Sequence, residues 1–133
     1  MDHVPIVHLE LHTGDPGAAR ALYATTCGWR PDPGATAGGY VPLDLGPASG
    51  AQLGGLTGGI VTARAAYSLW LPYVRVASVH EATARAAELG AEVLVGPQEG
   101  PTGWRSVVST QPGAQVAFWH PASGAPSPRA RGH

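Results

Sequence analysis

Apolar and polar residues alternate strictly from Val7 to His12, in the order Val-His-Leu-Glu-Leu-His. Because successive side chains of a strand point to opposite faces, this alternation predicts a half-buried β-strand. Its apolar residues would pack against a core, while His8, Glu10 and His12 would share the other face. Three side chains that can carry protons or bind a metal in one row mark this stretch as the first candidate for a functional site.

A capped helix is predicted directly after this strand, and the same plan returns in the second half of the chain. Asp15 is a preferred N-cap residue, and Pro16 suits the first helical position because its missing N–H would be unpaired there. Gly28 is the expected end of this helix. In the second half, a capping-box pattern begins at Ser78, and Gly90 ends the predicted helix.

The two halves repeat at a fixed distance. The caps Asp15 and Ser78 lie 63 positions apart, and the Gly-Ala-Gln sequence at 50–52 returns 63 positions later at 113–115. Two segments of equal plan, each with one helix and several strands, predict an α+β fold built from two pseudo-symmetric βαβββ modules. Their curved sheets would form a cleft or half-barrel.

The predicted boundaries follow from this repeat. A single domain is expected over residues 1–122, with module 1 at about 4–60 and module 2 at about 68–121. The remaining residues, 123–133, are rich in Pro, Ser, Gly and Ala and are expected to form a flexible tail. In the first module, residues 50–56 are predicted to form the last strand, with a loop from about Thr57 to Ser68.

Composition restricts the class of partner. The 133 residues carry a formal net charge of -1, and only 13% of them are charged. Nucleic acids and anionic membranes both require clustered basic charge, so neither is expected as a partner. A single cysteine, Cys27, excludes an internal disulfide, and no apolar run reaches the length of a membrane span. These features favour a cytoplasmic protein that binds a small molecule.

Two segments carry a family resemblance, VHLELHTGDPGAARALYATTCGW and LPYVRVASVHEATARAAELGAEVLVGPQEGPTGWRSVVSTQPGAQVAFWHP. They closely resemble the vicinal oxygen chelate superfamily, which contains glyoxalases, bleomycin-resistance proteins and extradiol dioxygenases. The resemblance covers essentially residues 4–121 and implies the paired βαβββ fold. It also implies a homodimer. Members of this superfamily include metal-dependent enzymes and metal-free proteins that bind antibiotics.

The resemblance marks four positions where metal-dependent members carry ligands. His8 matches the first of them, and the 63-residue repeat places its counterpart at Leu71. On the last strands the resemblance implies Gly54 and Ala117, which are also 63 positions apart. Only His8 can coordinate a metal through its side chain, whereas a divalent ion normally needs three or more protein ligands. We therefore expect no metal site and no cofactor in this chain.

Strand alternation assigns further side chains to the predicted cavity. The candidate catalytic residues are His8, Glu10, Tyr73 and Arg75. The candidate ligand-binding residues are His12, Gln52, Gly54, Leu71, Trp104, Gln115, Ala117 and Trp119. Three alternatives stay open: Glu10 and Arg75 form an ion pair instead of contacting substrate, His8 is only structural, or Tyr73 and Trp119 fill the core.

The favoured hypothesis is a metal-independent protein that binds a hydrophobic or aromatic small molecule, such as a secondary metabolite. It would catalyse acid–base cyclisation, isomerisation or elimination, with His8 as base, Glu10 as orienting group or acid, and Arg75 and Tyr73 stabilising an oxyanion. The second hypothesis is a resistance-type protein that sequesters an antibiotic or metabolite without catalysis. The third is a metal-dependent glyoxalase- or dioxygenase-type enzyme.

Overall fold

The computed structural model describes residues 3–31, 39–46, 56–62, 68–111 and 114–122. Within them the chain forms eight strands and two helices. In chain order these are β1 Ile6–Thr13, α1 Pro16–Cys27, β2 Arg30–Pro31, β3 Tyr40–Asp44, β4 Thr57–Thr62, β5 Leu69–Arg75, α2 Val79–Glu88, β6 Glu92–Glu99, β7 Gly103–Gln111 and β8 Ala114–Pro121. The α+β fold class predicted from the sequence is confirmed. The domain boundaries stay predictions, and the expected tail at 123–133 lies outside the described residues.

The chain divides into two compact units. The N-terminal unit is Pro5–Pro72, and the C-terminal unit is Tyr73–His133 together with Met1–Val4. In the N-terminal unit the strand order is β2-β3-β4-β1, and β1 runs parallel to β4. In the C-terminal unit the order is β5-β8-β7-β6, and β5 runs parallel to β8. In both units the first strand therefore lies beside the last strand, as expected for repeated modules.

The first helix begins and ends at the predicted residues. The Asp15 carboxylate accepts a hydrogen bond from the Ala18 N–H at 3.0 Å, and Pro16 occupies the first turn. Gly28 ends the helix with φ +72, the left-handed conformation that only glycine adopts without strain. The caps thus fix where the chain leaves β1 and where it returns towards β2.

The core of the N-terminal unit lies between its sheet and α1. Its buried members are Leu11, Val41, Leu43, Leu45 and Ile60. Tyr23 of α1 packs against them and stacks on Trp29 at 5.5 Å between ring centroids, and the Trp70 indole N–H donates to the Tyr23 hydroxyl. Burial of Leu11 on this side leaves the polar residues of β1 on the opposite side of the sheet.

The loop predicted from about Thr57 to Ser68 is wrong over its first residues. Residues Thr57–Thr62 form β4 between β1 and β3, where a loop was expected. Two glycines, Gly58 and Gly59, follow Thr57 in this segment, and glycine has low β-propensity, so local sequence does not indicate a strand there. Pairing on both sides and burial of Ile60 override that propensity. Of the residues predicted as the last strand, 50–56, all but Leu56 lie outside the described residues, so that strand stays a prediction.

In the C-terminal unit, α2 covers one face of the sheet. Val79 and Val108 are fully buried, and the Thr83 and Ser106 hydroxyls form a hydrogen bond of 2.7 Å between helix and sheet. Ser78 caps α2 as predicted, accepting from the Glu81 N–H at 3.1 Å. Among the described residues, neither helix has the length and apolar character that a membrane crossing requires.

A second group caps α2. His120 is half-buried, and its Nδ1 accepts the Val79 N–H at 2.9 Å. Burial lowers the pKa of His120, and the nearby His80 lowers it further. The folded state therefore favours the neutral imidazole, whose Nδ1 lone pair is free to accept.

This cap makes stability depend on pH. An unfolded histidine has a pKa of about 6.5, so His120 contributes its full stabilisation above about pH 6.5. As the pH falls through the lowered folded pKa, protonation removes the acceptor, and we expect to lose up to about 1 kcal/mol because the site is partly exposed. Urea unfolding at several pH values measures this loss. The variant His120→Asn keeps an acceptor near the Nδ1 position without a titration, and it should flatten the pH dependence, whereas an unchanged slope would contradict the assignment.

Candidate functional site

The polar row of β1 is confirmed as one face of the strand. His8, Glu10 and His12 lie on the side of the sheet opposite Leu11 and contact one another directly. The parallel neighbour β4 places Thr57 beside His8 and Gly59 beside Glu10. Strand pairing therefore places the Thr57 hydroxyl next to His8, and it places Gly59, which has no side chain, next to Glu10.

One carboxylate joins the two imidazoles. The Nε2 atom of His8 lies 3.2 Å from Oε2 of Glu10, and the Nε2 atom of His12 lies 2.9 Å from Oε1. Only 11% of the Glu10 side chain is exposed. A buried carboxylate is costly unless it accepts hydrogen bonds, so the two imidazole N–H groups explain how Glu10 is tolerated there. Each imidazole is in turn held in one orientation.

The second nitrogen of His8 is also engaged. Its Nδ1 atom lies 2.7 Å from the Thr57 hydroxyl oxygen, which in turn lies 3.2 Å from the Val7 carbonyl oxygen. When His8 carries both protons, its Nδ1–H donates to Thr57 and Thr57 donates to Val7. When His8 is neutral, Thr57 can donate to Nδ1 instead. The Thr57 hydroxyl therefore satisfies either protonation state.

His12 differs from His8 in the hydrogen bonding of its second ring nitrogen. Its Nε2 binds Glu10, and its side chain is 24% exposed. Within the residues that the structure describes, no hydrogen bond involves its Nδ1 atom. When Nε2 carries the proton that is donated to Glu10, Nδ1 carries a lone pair. This is the arrangement of a carboxylate-oriented general base.

Tyr40 completes the cluster from β3. Its hydroxyl lies 3.4 Å from His8 Nε2, and its ring covers Gly59, where an added Cβ would lie only 2.6 Å from the phenol Cζ. Burial raises the pKa of Tyr40 to about 12, and the charge of Glu10 adds to this shift. Tyr40 therefore stays protonated and is a hydrogen-bond donor at neutral pH.

The charge of Glu10 can be tested through Tyr40. Replacing Glu10 with glutamine should lower the pKa of Tyr40 from about 12, because the coulombic cause disappears while burial remains. The measurement is the ¹³Cζ shift of labelled tyrosine up to about pH 10.5, where an ordinary tyrosine of pKa about 10 is mostly ionised. Tyr40 should stay a phenol in the native chain and begin to ionise in the variant. Identical titrations would show that Glu10 is uncharged or distant in solution.

The metal positions require one correction. Glu10 pairs with Gly59 in the N-terminal unit, and Tyr73 pairs with Ala117 in the C-terminal unit. The 63-residue repeat relates Glu10 to Tyr73, so Gly59 rather than Gly54 is the counterpart of Ala117. Gly59 also lacks a ligating side chain, and the phenol of Tyr40 fills the space above it.

The donor set does not fit a divalent metal. In the ranges that the structure describes, no group of three or more His, Cys, Asp or Glu side chains is arranged to hold an ion. Of the four positions that the resemblance marks, His8 is the only one with a donor atom. Leu71 and Ala117 are buried and apolar. Glu10 lies between the two histidines as a hydrogen-bond acceptor.

The other predicted site residues are distributed over both units. Tyr73 and Ala117 are buried, and the guanidinium of Arg75 lies over the Trp119 ring. Gln115 is half-buried in β8. Gln52 and Gly54 lie outside the described residues, and the ion pair between Glu10 and Arg75 stays a prediction. The catalytic and ligand-binding roles of these residues stay predictions.

Trp104 lies elsewhere than predicted. It belongs to β7, and its ring packs on His80 of α2 at 4.7 Å between centroids instead of facing the predicted cavity. Its face of the sheet is therefore the one that α2 covers. Alternation along β8 and β7 places Ala117 and Trp119 on the opposite face. Trp104 thus does not share a face with these predicted ligand residues.

Two members of the cluster were missed. Thr57 lay in a predicted loop, so its pairing with β1 could not be inferred. Nothing in the sequence around Tyr40 shows that its ring reaches across β4. The useful signal was the Gly58-Gly59 pair, because a strand without side chains leaves room for a ring from its neighbour.

Solved structures share this fold at low sequence identity. A Streptomyces coelicolor methylmalonyl-CoA epimerase in complex with 2-nitronate-propionyl-CoA is 14% identical, with a TM-score of 0.61 over 96% of this chain and 100% of that chain. A hypothetical protein from Bacillus halodurans C-125 is 11% identical, with a TM-score of 0.62 over 95% and 100%. An NAD-dependent benzaldehyde dehydrogenase from Legionella pneumophila is 12% identical, with a TM-score of 0.57 over 84% and 96%.

No family model and no curated protein matches the chain. The epimerases among its structural neighbours belong to the vicinal oxygen chelate superfamily. The TM-scores of 0.57–0.62 establish a common fold, whereas identities of 11–14% leave the activity open. This chain therefore has the fold of methylmalonyl-CoA epimerase, and its chemistry has to be argued from its own residues.

Proposed function

We propose that this protein is a metal-independent member of the vicinal oxygen chelate superfamily that binds a hydrophobic, ring-bearing small molecule and promotes acid–base chemistry on it. Cyclisation, isomerisation and elimination are the reaction types that such a site serves. The observation that carries the proposal is the Glu10 carboxylate, which is buried and holds one imidazole on each oxygen. A carboxylate in this position both orients a histidine and stabilises its protonated form.

His12 is the base in this proposal. The sequence favoured His8, but both ring nitrogens of His8 are hydrogen-bonded within the cluster. His12 carries a lone pair on Nδ1 when Nε2 donates to Glu10, and it is the more exposed of the two. It would take a proton from carbon or oxygen of the ligand, and the resulting imidazolium would be stabilised by Glu10 at 2.9 Å.

The remaining members of the cluster have supporting roles. His8 holds the second oxygen of Glu10, and Thr57 holds His8. Tyr40 supplies a neutral O–H and an aromatic face beside the cluster, which suit a ring-bearing ligand. Arg75 and Tyr73 belong to the C-terminal unit, and their stabilisation of an oxyanion stays a prediction.

The proposal of metal independence rests on the donor set. A metal-dependent member would use ligands from the first and last strands of each module, and this chain offers apolar or absent side chains at three of those four positions. The Tyr40 ring also takes the volume above Gly59. A mechanism through His12 and Glu10 needs no Lewis acid, because the carboxylate compensates the charge that develops on the imidazole.

Proton abstraction without metal can be tested with a generic probe. Nitrobenzisoxazole opens when a base removes its ring C–H proton and the N–O bond breaks to give a cyanophenolate, which absorbs visible light. The protein should accelerate this elimination above free imidazole, and the rate should survive EDTA. Elemental analysis and native mass spectrometry of the same sample complete the test.

Three outcomes would change the proposal. About one equivalent of transition metal per chain, or loss of the rate with EDTA, would restore a metalloenzyme. Saturable binding of aromatic ligands that are recovered unchanged, with no elimination above free imidazole, would favour the sequestering protein. Homodimer formation stays a prediction, and sedimentation across a range of concentrations measures it.

A further inference from the structure

A polar row also crosses the sheet of the C-terminal unit. Arg75 of β5 pairs with Trp119 of β8, Trp119 pairs with Arg105 of β7, and Arg105 pairs with Gln98 of β6. Residues that are direct partners on neighbouring strands point to the same face of a sheet. The row therefore presents guanidinium, indole, guanidinium and amide side by side.

The row occupies the face opposite α2. The neighbouring positions Trp104 and Ser106 of β7 contact α2 through His80 and Thr83 respectively. Alternation places Arg105, between them, on the other face. Arg75, Trp119 and Arg105 are each half-buried rather than fully exposed. Partial burial orders these side chains and limits their contact with water.

The guanidinium of Arg75 already stacks on the indole. Its Cζ lies 5.8 Å from the centroid of the Trp119 ring, within the range of a cation–π contact. An arginine that stacks on one ring keeps its in-plane N–H donors available for an oxyanion at the ring edge. This geometry suits a planar ligand that lies along the indole with its acidic group at the guanidinium.

The row has no compensating carboxylate within the described residues. The ion pairs there join Glu10 to His8 and His12, and neither Arg75 nor Arg105 takes part in one. Glu99, the carboxylate nearest along β6, pairs with Trp104 and so points to the α2 face. Two half-buried cations on one face, without an anion between them, are stabilised when an anion binds.

We propose that this row, Arg75, Trp119, Arg105 and Gln98, is a binding site for a planar aromatic anion. The ring would stack on Trp119, and the carboxylate or phosphate oxygens would accept from Arg75 and Arg105. Strands lie about 4.8 Å apart, so the two arginine Cα atoms are separated by roughly 10 Å, a span that two long side chains close around one acidic group. The site does not depend on the proposed proton transfer at Glu10.

Calorimetric titration of the full chain with naphthoate, naphthyl phosphate and naphthamide tests this site. The two anions should bind at least tenfold more tightly than the neutral amide, and their relative affinities show which acidic group the arginines prefer. Arg75→Gln and Arg105→Gln should each weaken naphthoate binding by about tenfold, the effect of losing one charge-assisted contact. Trp119→Leu should weaken naphthoate and naphthamide alike.

The matched control is Arg85→Gln, an exposed arginine on α2 of the same unit. It removes the same charge away from the row and should leave naphthoate binding unchanged. Equal affinity for naphthoate and naphthamide, or an equal loss in Arg85→Gln, would overturn the proposal. Retained naphthamide binding by Arg75→Gln and Arg105→Gln shows that these variants are folded. Since nitrobenzisoxazole elimination is scored separately, failure of this site and failure of the proton-transfer site are distinguishable.

Discussion

Replacing His12 with glutamine should lower the rate of nitrobenzisoxazole elimination by about a hundredfold. His12 is the only histidine of the row whose Nδ1 has no hydrogen bond within the described residues, and Glu10 holds its Nε2 at 2.9 Å. Glutamine can still donate an N–H to Glu10, so the carboxylate keeps a donor. The substitution therefore removes the base and leaves the buried charge satisfied.

The rate of the His8→Gln variant distinguishes a base from a residue that only supports it. His8→Gln should keep a larger share of the rate than His12→Gln, because it disturbs the orientation of Glu10 without removing the proposed base. His80→Gln is the matched control, since His80 is an exposed histidine on α2. A rate that falls most in His8→Gln would return the base to His8, and equal rates in all three variants would end the acid–base proposal. Initial rates at fixed pH, with urea unfolding to confirm stability, measure these effects.

Alternation and capping made the centre of the site predictable. The period of two in β1 requires no tertiary information, so the face shared by His8, Glu10 and His12 followed from the sequence alone. Asp15 and Gly28 fixed α1 in the same way, because a cap acts on its own turn. Local rules therefore predicted the strand that carries the cluster and the helix that packs behind it.

Long-range pairing decided the parts that the sequence did not predict. The Gly-Ala-Gln repeat suggested that Gly54 corresponds to Ala117, whereas the strand register assigns that place to Gly59. Twelve residues, 45–56, separate the last two strands of the first module, and two residues, 112–113, separate those of the second. This difference in length shifts the last strand without changing the helix caps. The contact of His120 could not be predicted for a related reason, since its partner is a backbone N–H of α2, which no sequence pattern reveals.

The hydrogen-bond pattern also changed the chemistry expected of the row. Side chains two apart on one strand lie about 7 Å apart at their Cα atoms, which argued against their convergence. Glutamate is long enough to bridge this distance in both directions, with one oxygen for each histidine. The sequence therefore identified the residues but not the division of roles, which depends on the His12 Nδ1 having no hydrogen bond to any residue that the structure describes.

Adding one methyl group at Gly59 should destabilise the protein by about 1–3 kcal/mol and disturb the cluster. The Cβ of Gly59→Ala would lie 2.6 Å from the Tyr40 Cζ, so the ring has to move. Gly59 has no positive φ, and its backbone suits alanine, so the cost arises from this contact alone. Urea unfolding gives the loss of stability, and the pKa of Tyr40 should fall towards its ordinary value as the ring becomes more exposed.

Two further variants separate the ring contact from general effects of alanine in a strand. Gly96→Ala lies in β6, where an added Cβ meets no atom within 4 Å, and it should be neutral or slightly stabilising. In a Tyr40→Ala background the cost of Gly59→Ala should largely disappear, because the atoms it would meet are gone. An equal cost in both backgrounds would contradict the contact. A cost confined to the native background would establish that the missing side chain of Gly59 is what lets Tyr40 lie against His8.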